Sequence, residues 1–208
     1  MSAQPKRLLT PAEYLAIERD VRQKHEFYRG EMFAMGGAST EHNQITFNLA
    51  GALHTHLRNR DCVAYVNDMR VKVLATGLYV YPDVVVTCEK PQFEDDVLDT
   101  LLNPQVIIEV AYDSTEVYDR TKKFKHYQRI ESLKEYVLVT QKWAHIDRFL
   151  PGEVGRWTLD SADGLDDVIE LAAIGCQLKL ADVYAKVQLP SIEEVNRAAG
   201  IYGPDEPR

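Results

Sequence analysis

Two carboxylates stand where the surrounding sequence argues against them. Asp83 opens the run DVVVT, and Glu109 lies inside VIIEVA, 26 positions further on. Both runs read as buried strands, where an ionised carboxylate is costly unless a partner compensates it. Two such groups brought together across a sheet would raise each other's pKa. A divalent cation shared between them removes that conflict. Mg²⁺ takes oxygen ligands at about 2.0–2.1 Å and keeps several waters. Such a site can activate water and neutralise charge on a phosphodiester under attack. A nearby ammonium would orient the water or stabilise the pentavalent charge. The segment after Glu109 offers Lys122, Lys123 and Lys125, and Asp119, Lys123 and Tyr127 follow one another at spacings of four, which places them near one helix face. The same residues also fit blander roles: a strand-start Asp accepting backbone hydrogen bonds, an edge-strand Glu, and a solvated helical ion pair.

The elements that would position these groups are legible in outline. TPAEYLAIERDV opens a helix, with Thr10 as cap, Pro11 at the first helical position and Glu13 closing a capping box. HEFYRGEMFAMGG reads as two short strands about Arg29-Gly30. A second helix is expected from about Ser39 to Arg60, since Ile45, Leu49, Ala52, Leu53 and Leu57 recur at helical spacing. The stretch 62–87 is strand-rich with a turn at Ala75-Thr76-Gly77, and 91–104 reads as a solvated acidic loop. PQVIIEVAY is a buried strand. DSTEVYDRTKKFKHYQRI is a helix with Asp113 and Glu116 in capping-box spacing, and KEYVLVTQ is a strand. Antiparallel hairpins are expected from Trp143 to about Leu171, then a short helix capped by Ser191 with Glu194. Strands followed by a helix and a further strand predict an α/β domain with a mixed sheet.

Composition sets the outer limits. The chain has 208 residues, 45% hydrophobic and 27% charged, which predicts one soluble domain, residues 1–208. No apolar stretch is long enough for a transmembrane helix, and the first residues lack a signal-peptide core, so the expected location is the cytoplasm with no membrane partner. Cys62, Cys88 and Cys176 are far apart in sequence, which predicts reduced thiols. A net charge of −8 argues against a surface coated with cations for nucleic acid. Charge is uneven, however. Residues 114–134 hold six basic against three acidic side chains, whereas 151–170 hold one against six. Arg120, Lys122 and Lys125 are therefore candidates to meet phosphates, and the C-terminal hairpins are not. His54 and His56 read as solvated or structural.

YPDVVV, IIEVAYDST, DRTKKFKHYQ and KEYVLV, in this order and spacing, resemble the Uma-type family of endonucleases within the restriction-endonuclease-like PD-(D/E)xK superfamily. YRGEMFAMGGASTEHNQI resembles the same family upstream, and the likeness covers about residues 10–150. It implies a restriction-endonuclease-like α/β core, a mixed central sheet flanked by helices, with hairpins and a helix added over 151–208. It implies a Mg²⁺-dependent endonuclease acting on DNA, with Mn²⁺ as a substitute. Asp83 and Glu109 would be the metal ligands, joined by the carbonyl of Val110. The superfamily usually places its Lys two residues after the Glu, where this chain has Ala111. In the Uma-type pattern the Lys lies on the next helix, at Lys123. Glu31 and His42 match further family positions near the site. Two departures, at Ala111–Ser114 and at Val137, concern packing or the mouth of the site. A homodimer is expected if both strands of a duplex are to be cut. The rival reading is a catalytically silent module that keeps the nuclease fold, and a third is a hydrolase of RNA or another phosphodiester.

Overall fold

The computed structural model describes residues 7–112, 116–190 and 194. Helix α1 (Pro11–Glu18) starts as its sequence dictates. Thr10 Oγ1 accepts from Glu13 N–H, Glu13 Oε2 accepts from Thr10 N–H at 2.8 Å, and Pro11 fills the first turn. The hairpin β1 (His25–Tyr28) and β2 (Glu31–Ala34) closes through Arg29 and Gly30, both at positive φ. That is the twist a two-residue hairpin turn needs. Gly30 has a second constraint, since a Cβ there would lie 2.6 Å from Leu8 Cβ.

Helix α2 (Thr40–Leu57) follows, capped by Ser39, whose Oγ accepts from His42 N–H. Next come β3 (Val63–Val66), β4 (Arg70–Val73), β5 (Leu78–Val80), β6 (Val84–Thr87), β7 (Thr100–Leu101) and β8 (Val106–Ala111). The crossover from β8 to its parallel neighbour β9 (Glu135–Thr140) is helical. It runs through α3 (Glu116–Tyr118), a π turn (Asp119–Lys123) and α4 (Phe124–Tyr127). The chain then forms β10 (His145–Pro151), β11 (Trp157–Asp163), β12 (Val168–Leu171), β13 (Cys176–Lys179) and α5 (Leu180–Val183).

Two main sheets result. One has the order β2-β1-β5-β4-β7, the other β11-β10-β9-β8-β6-β3. The second is mixed, with β8 and β9 parallel and its other pairs antiparallel. Its central strands are covered on both faces, which is why their sequences are continuous apolar runs. Val84, Val86, Ile108 and Val110 pack with α2. Val85, Ile107 and Ala111 pack with α4 and the first sheet. The apolar stripe of α2 is wholly buried at Ile45, Leu49 and Leu53, each contributing roughly 1.5–3 kcal/mol of transfer free energy.

The C-terminal strands are less peripheral than the sequence suggests. Ile169, Leu171, Cys176 and Leu178 of the β12–β13 hairpin close the core beside α2. Two other expectations are corrected. Cys62 and Cys88 are joined in a disulfide, and only Cys176 of the three is a free thiol. The β3–β6 register sets Val63 opposite Thr87, so the residues just outside that pair face each other, a juxtaposition that sequence separation hides. The acidic 91–104 segment is solvated only in part: Asp96, Val97 and Leu98 are exposed, but its other acids are paired. Asp95 and Asp99 hold Arg19, Asp99 also holds the buried Arg70, and Glu94 holds Lys72. It also carries β7. The expected central sheet is thus accompanied by a second sheet. The capping residue Asp113 and the Ser191 helix cap lie outside the described residues. Among the described residues no helix is long and apolar enough to cross a membrane.

Candidate active site

Strand register puts the two carboxylates together. Val84 lies opposite Ile108 in the antiparallel β6–β8 pair, so one step outward sets Asp83 opposite Glu109. Side chains alternate along a strand. Glu109 therefore shares the face of Ile107 and Ala111, the face toward α4, while Asp83, just ahead of β6, is met by His42 of α2. Asp83 is fixed from two sides. Val110 N–H donates to its Oδ2 at 2.7 Å, and His42 Nε2 lies 3.0 Å from its Oδ1. A strand residue sends its N–H and C=O to the same edge, so the Val110 carbonyl also leaves toward Asp83.

The helical crossover brings the cation. Lys123 Nζ lies 2.9 Å from Glu109 Oε1, 3.2 Å from Glu26 Oε1 and 3.7 Å from Asp119 Oδ1. Tyr127 O–H donates to the same Glu109 Oε1 at 2.6 Å. The π turn has a purpose here. A spacing of four overshoots the 3.6-residue α-helical turn. The wider turn, closed by Phe124 N–H on the Asp119 carbonyl, absorbs part of the overshoot and keeps Asp119, Lys123 and Tyr127 in line. All three are buried. Such turns recur at functional sites.

His42 is set by its neighbours. Its ring stacks on Tyr112 at 5.0 Å between centroids, and the Tyr112 hydroxyl accepts from Ser39 N–H and donates to the Gly37 carbonyl. His42, Tyr112 and Gly37 line one cavity of about 300 Å³ with Glu26, Asp83, Glu109, Asp119 and Lys123.

Glu109 is pushed up to about 8. Burial is the largest cause, and the carboxylates of Asp119 and Asp83 add to it against the opposing pull of Lys123. Burial would lower Lys123, but Glu109, Tyr127, Glu26 and Asp119 carry it well above its ordinary value. The lysine is held charged. Because Glu109 is raised in the folded state, the stability it contributes is fully present below its ordinary 4.5 and is lost as pH rises toward about 8. The urea midpoint of metal-free protein should therefore fall between pH 5 and 8 more steeply than that of Glu109→Gln. Equal slopes would contradict the raised pKa.

The donor set suits Mg²⁺. It offers hard oxygens from two carboxylates and a carbonyl at the end of a sheet. Among the described residues no group of three or more His, Cys, Asp or Glu is arranged as a metal cage. Mg²⁺ binds through one or two carboxylates and retains water, whereas a structural zinc site closes around four protein ligands. The excess of buried carboxylate over lysine is also what a cation would relieve.

Of the residues singled out from sequence, the fold brings Asp83, Glu109, Val110, Lys123 and His42 to this cavity. Glu31 is not among its lining residues. It shares the hairpin face of Glu26 but pairs with Tyr28 beside the turn, two residues away. Arg120 is occupied by Glu116 at 3.0 Å and by the buried Asp147. Lys122 and Lys125 are exposed and outside the cavity, and His54 and His56 are exposed on α2. Sequence reasoning missed Glu26. A Glu in a four-residue half-buried strand breaks no pattern, and only the contact with Lys123 marks it.

The model of the Uma2 family, described as "Putative restriction endonuclease", matches residues 11–181. That match runs past residue 150 and takes in β12 and β13. Two proteins of the Synechocystis sp. strain PCC 6803, both called uncharacterized, are similar. One, sll1609, is 35% identical over 80% of this chain and 94% of its own length. The other, slr1290, is 34% identical over 85% and 91%. A crystal structure from Anabaena variabilis, described as a putative nuclease belonging to DUF820, superposes with a TM-score of 0.71 at 15% identity. The alignment covers 86% of this chain and 99% of that one. At that identity the likeness concerns the fold, which is restriction-endonuclease-like.

Proposed function

The chain belongs to the Uma2 family, and from that premise we propose that it is a Mg²⁺-dependent endonuclease hydrolysing phosphodiester bonds of DNA at the Asp83–Glu109–Lys123 cluster. The observation that carries the reading is the convergence of two carboxylates, one just ahead of β6 and one within β8, with a buried lysine from the crossover helix. Structural ion pairs are normally balanced. Here Glu26, Glu109 and Asp119 surround one lysine while Asp83 adds a fourth carboxylate alongside.

Asp83, Glu109 and the Val110 carbonyl would hold the ion. When bound, Mg²⁺ supplies neutralisation of the charge that builds on the phosphate. The protein supplies the rest. Tyr127 fixes Glu109 through Oε1, and His42 and the Val110 N–H fix Asp83, so neither carboxylate must reorganise as substrate arrives. Lys123 is held protonated by its carboxylates. Its ammonium therefore acts as a donor to the attacking water or a phosphate oxygen, not as the base that takes the water's proton.

The test is incubation of purified protein with plasmid and single-stranded DNA in Mg²⁺ or in excess EDTA. Cleavage in Mg²⁺ alone is expected. Intact DNA in Mg²⁺ and in Mn²⁺ would leave the silent-module reading in its place.

A further inference from the structure

A second cavity of about 390 Å³ meets the first at Asp83, His42 and Tyr112 and extends to Arg22, Asn43 and Asn67. Together they make a trough with Asp83 at its junction and Glu109 in the first arm. We propose that this trough takes a single unpaired DNA strand, with a base stacked on Phe33 on one side of the scissile phosphate and Arg22 holding a phosphate on the other. The proposal rests on the nuclease reading above and names its substrate.

The reacting groups are recessed. The side chains of Glu109 and Lys123 are 7% and 6% exposed, and that of Asp83 16%. Phosphates of a continuous duplex lie on a convex surface. A strand free of its partner reaches the floor of such a trough without the bending or groove widening that a duplex would need.

Phe33 is the second observation. It is 50% exposed, although it is a large aromatic residue in a strand. It pairs in register with Glu26, so the two side chains rise from one face of the hairpin. Glu26 touches Lys123, which sets the phenyl ring at the rim of the site, where it also lines the cavity. Stacking on such a ring tolerates every base, as a nuclease without base readout requires.

The opposite arm is polar. Arg22 and Asn43 are exposed in its wall, whereas Lys24 is already paired with Asp68. The cations first expected to meet phosphate, Arg120, Lys122 and Lys125, line neither cavity. A site for one strand also carries no requirement for a homodimer, which the cutting of a duplex had suggested.

The experiment uses a fluorescein-labelled oligodeoxynucleotide, alone or annealed to its complement. Binding is followed by anisotropy in EDTA and cleavage in Mg²⁺, with wild type, Phe33→Ala, Phe33→Trp and Arg22→Ala. Tighter binding of the single strand is expected. It should weaken by about tenfold in Phe33→Ala, a loss typical of one stacked base, and be retained in Phe33→Trp. Arg22→Ala should weaken it and flatten its salt dependence. Equal or tighter duplex binding, or single-strand affinity unchanged by Phe33→Ala, would overturn the proposal while cleavage in Mg²⁺ still upholds the nuclease reading. Phe33-dependent binding without cleavage would uphold the strand site and sink the nuclease reading instead.

Discussion

The Asp83→Asn protein is expected to keep its fold and to cleave DNA about a thousandfold more slowly, a loss of roughly 4 kcal/mol of transition-state stabilisation. The amide is chosen because Asp83 has two tasks. Its Oδ2 accepts from Val110 N–H, a structural bond at the junction of β6 and β8. An Asn oxygen accepts the same hydrogen bond but offers a cation no charge. Glu109→Gln should behave alike, since the amide oxygen can still accept from Tyr127 O–H. Circular dichroism and the urea midpoint check the fold, and initial rates on labelled DNA give the loss. Wild-type rates in either variant would return Asp83 to a strand-start residue and Glu109 to a buried structural acid.

Lys123→Met carries the second large effect, on stability as well as rate. In the wild type three carboxylates lie within 4 Å of one ammonium, all of them at least half-buried. Methionine keeps much of the volume and removes the charge. Breaking a buried ion pair from one side typically costs about 3–5 kcal/mol, because the remaining charge is left uncompensated. Metal-free Lys123→Met should lose stability on that scale at pH 8, and less at pH 5, where Glu109 is protonated. Adding Glu109→Gln should restore part of the loss, since the charge that needed the lysine is then gone. Cleavage should be absent in both. A Lys123→Met protein as stable as wild type at pH 8 would mean that the carboxylates do not depend on this ammonium.

What the sequence revealed of this site was where it broke its own rules. Asp83 and Glu109 interrupt apolar runs, and such interruptions are visible without a structure. Lys123 was legible as one of three lysines on the helix after Glu109, and the resemblance chose among them. The capping box at Thr10, the hairpin turn at Arg29-Gly30 and the apolar stripe of α2 were equally local and came through intact. The rest depends on which distant residues meet. Glu26 and Glu31 share one hairpin face, and sequence could not say which lies under Lys123. The Cys62–Cys88 bond follows from strand register, which a separation of 26 residues does not disclose. Asp95 and Asp99 looked solvated because their partner Arg19 lies at the end of α1, some 80 positions away. The π turn has no recognisable code, and the inward line of Asp119, Lys123 and Tyr127 depends on it.

In the proposed site Asp83 and Glu109 share one divalent cation. Titration calorimetry with Mg²⁺ and Mn²⁺ on wild type, Asp83→Asn and Glu109→Gln tests it most directly, because it reads binding without requiring the correct DNA. One site in the wild type, lost or greatly weakened in both variants, is the predicted result. Equal binding in all three proteins, or no binding in the wild type, would contradict it.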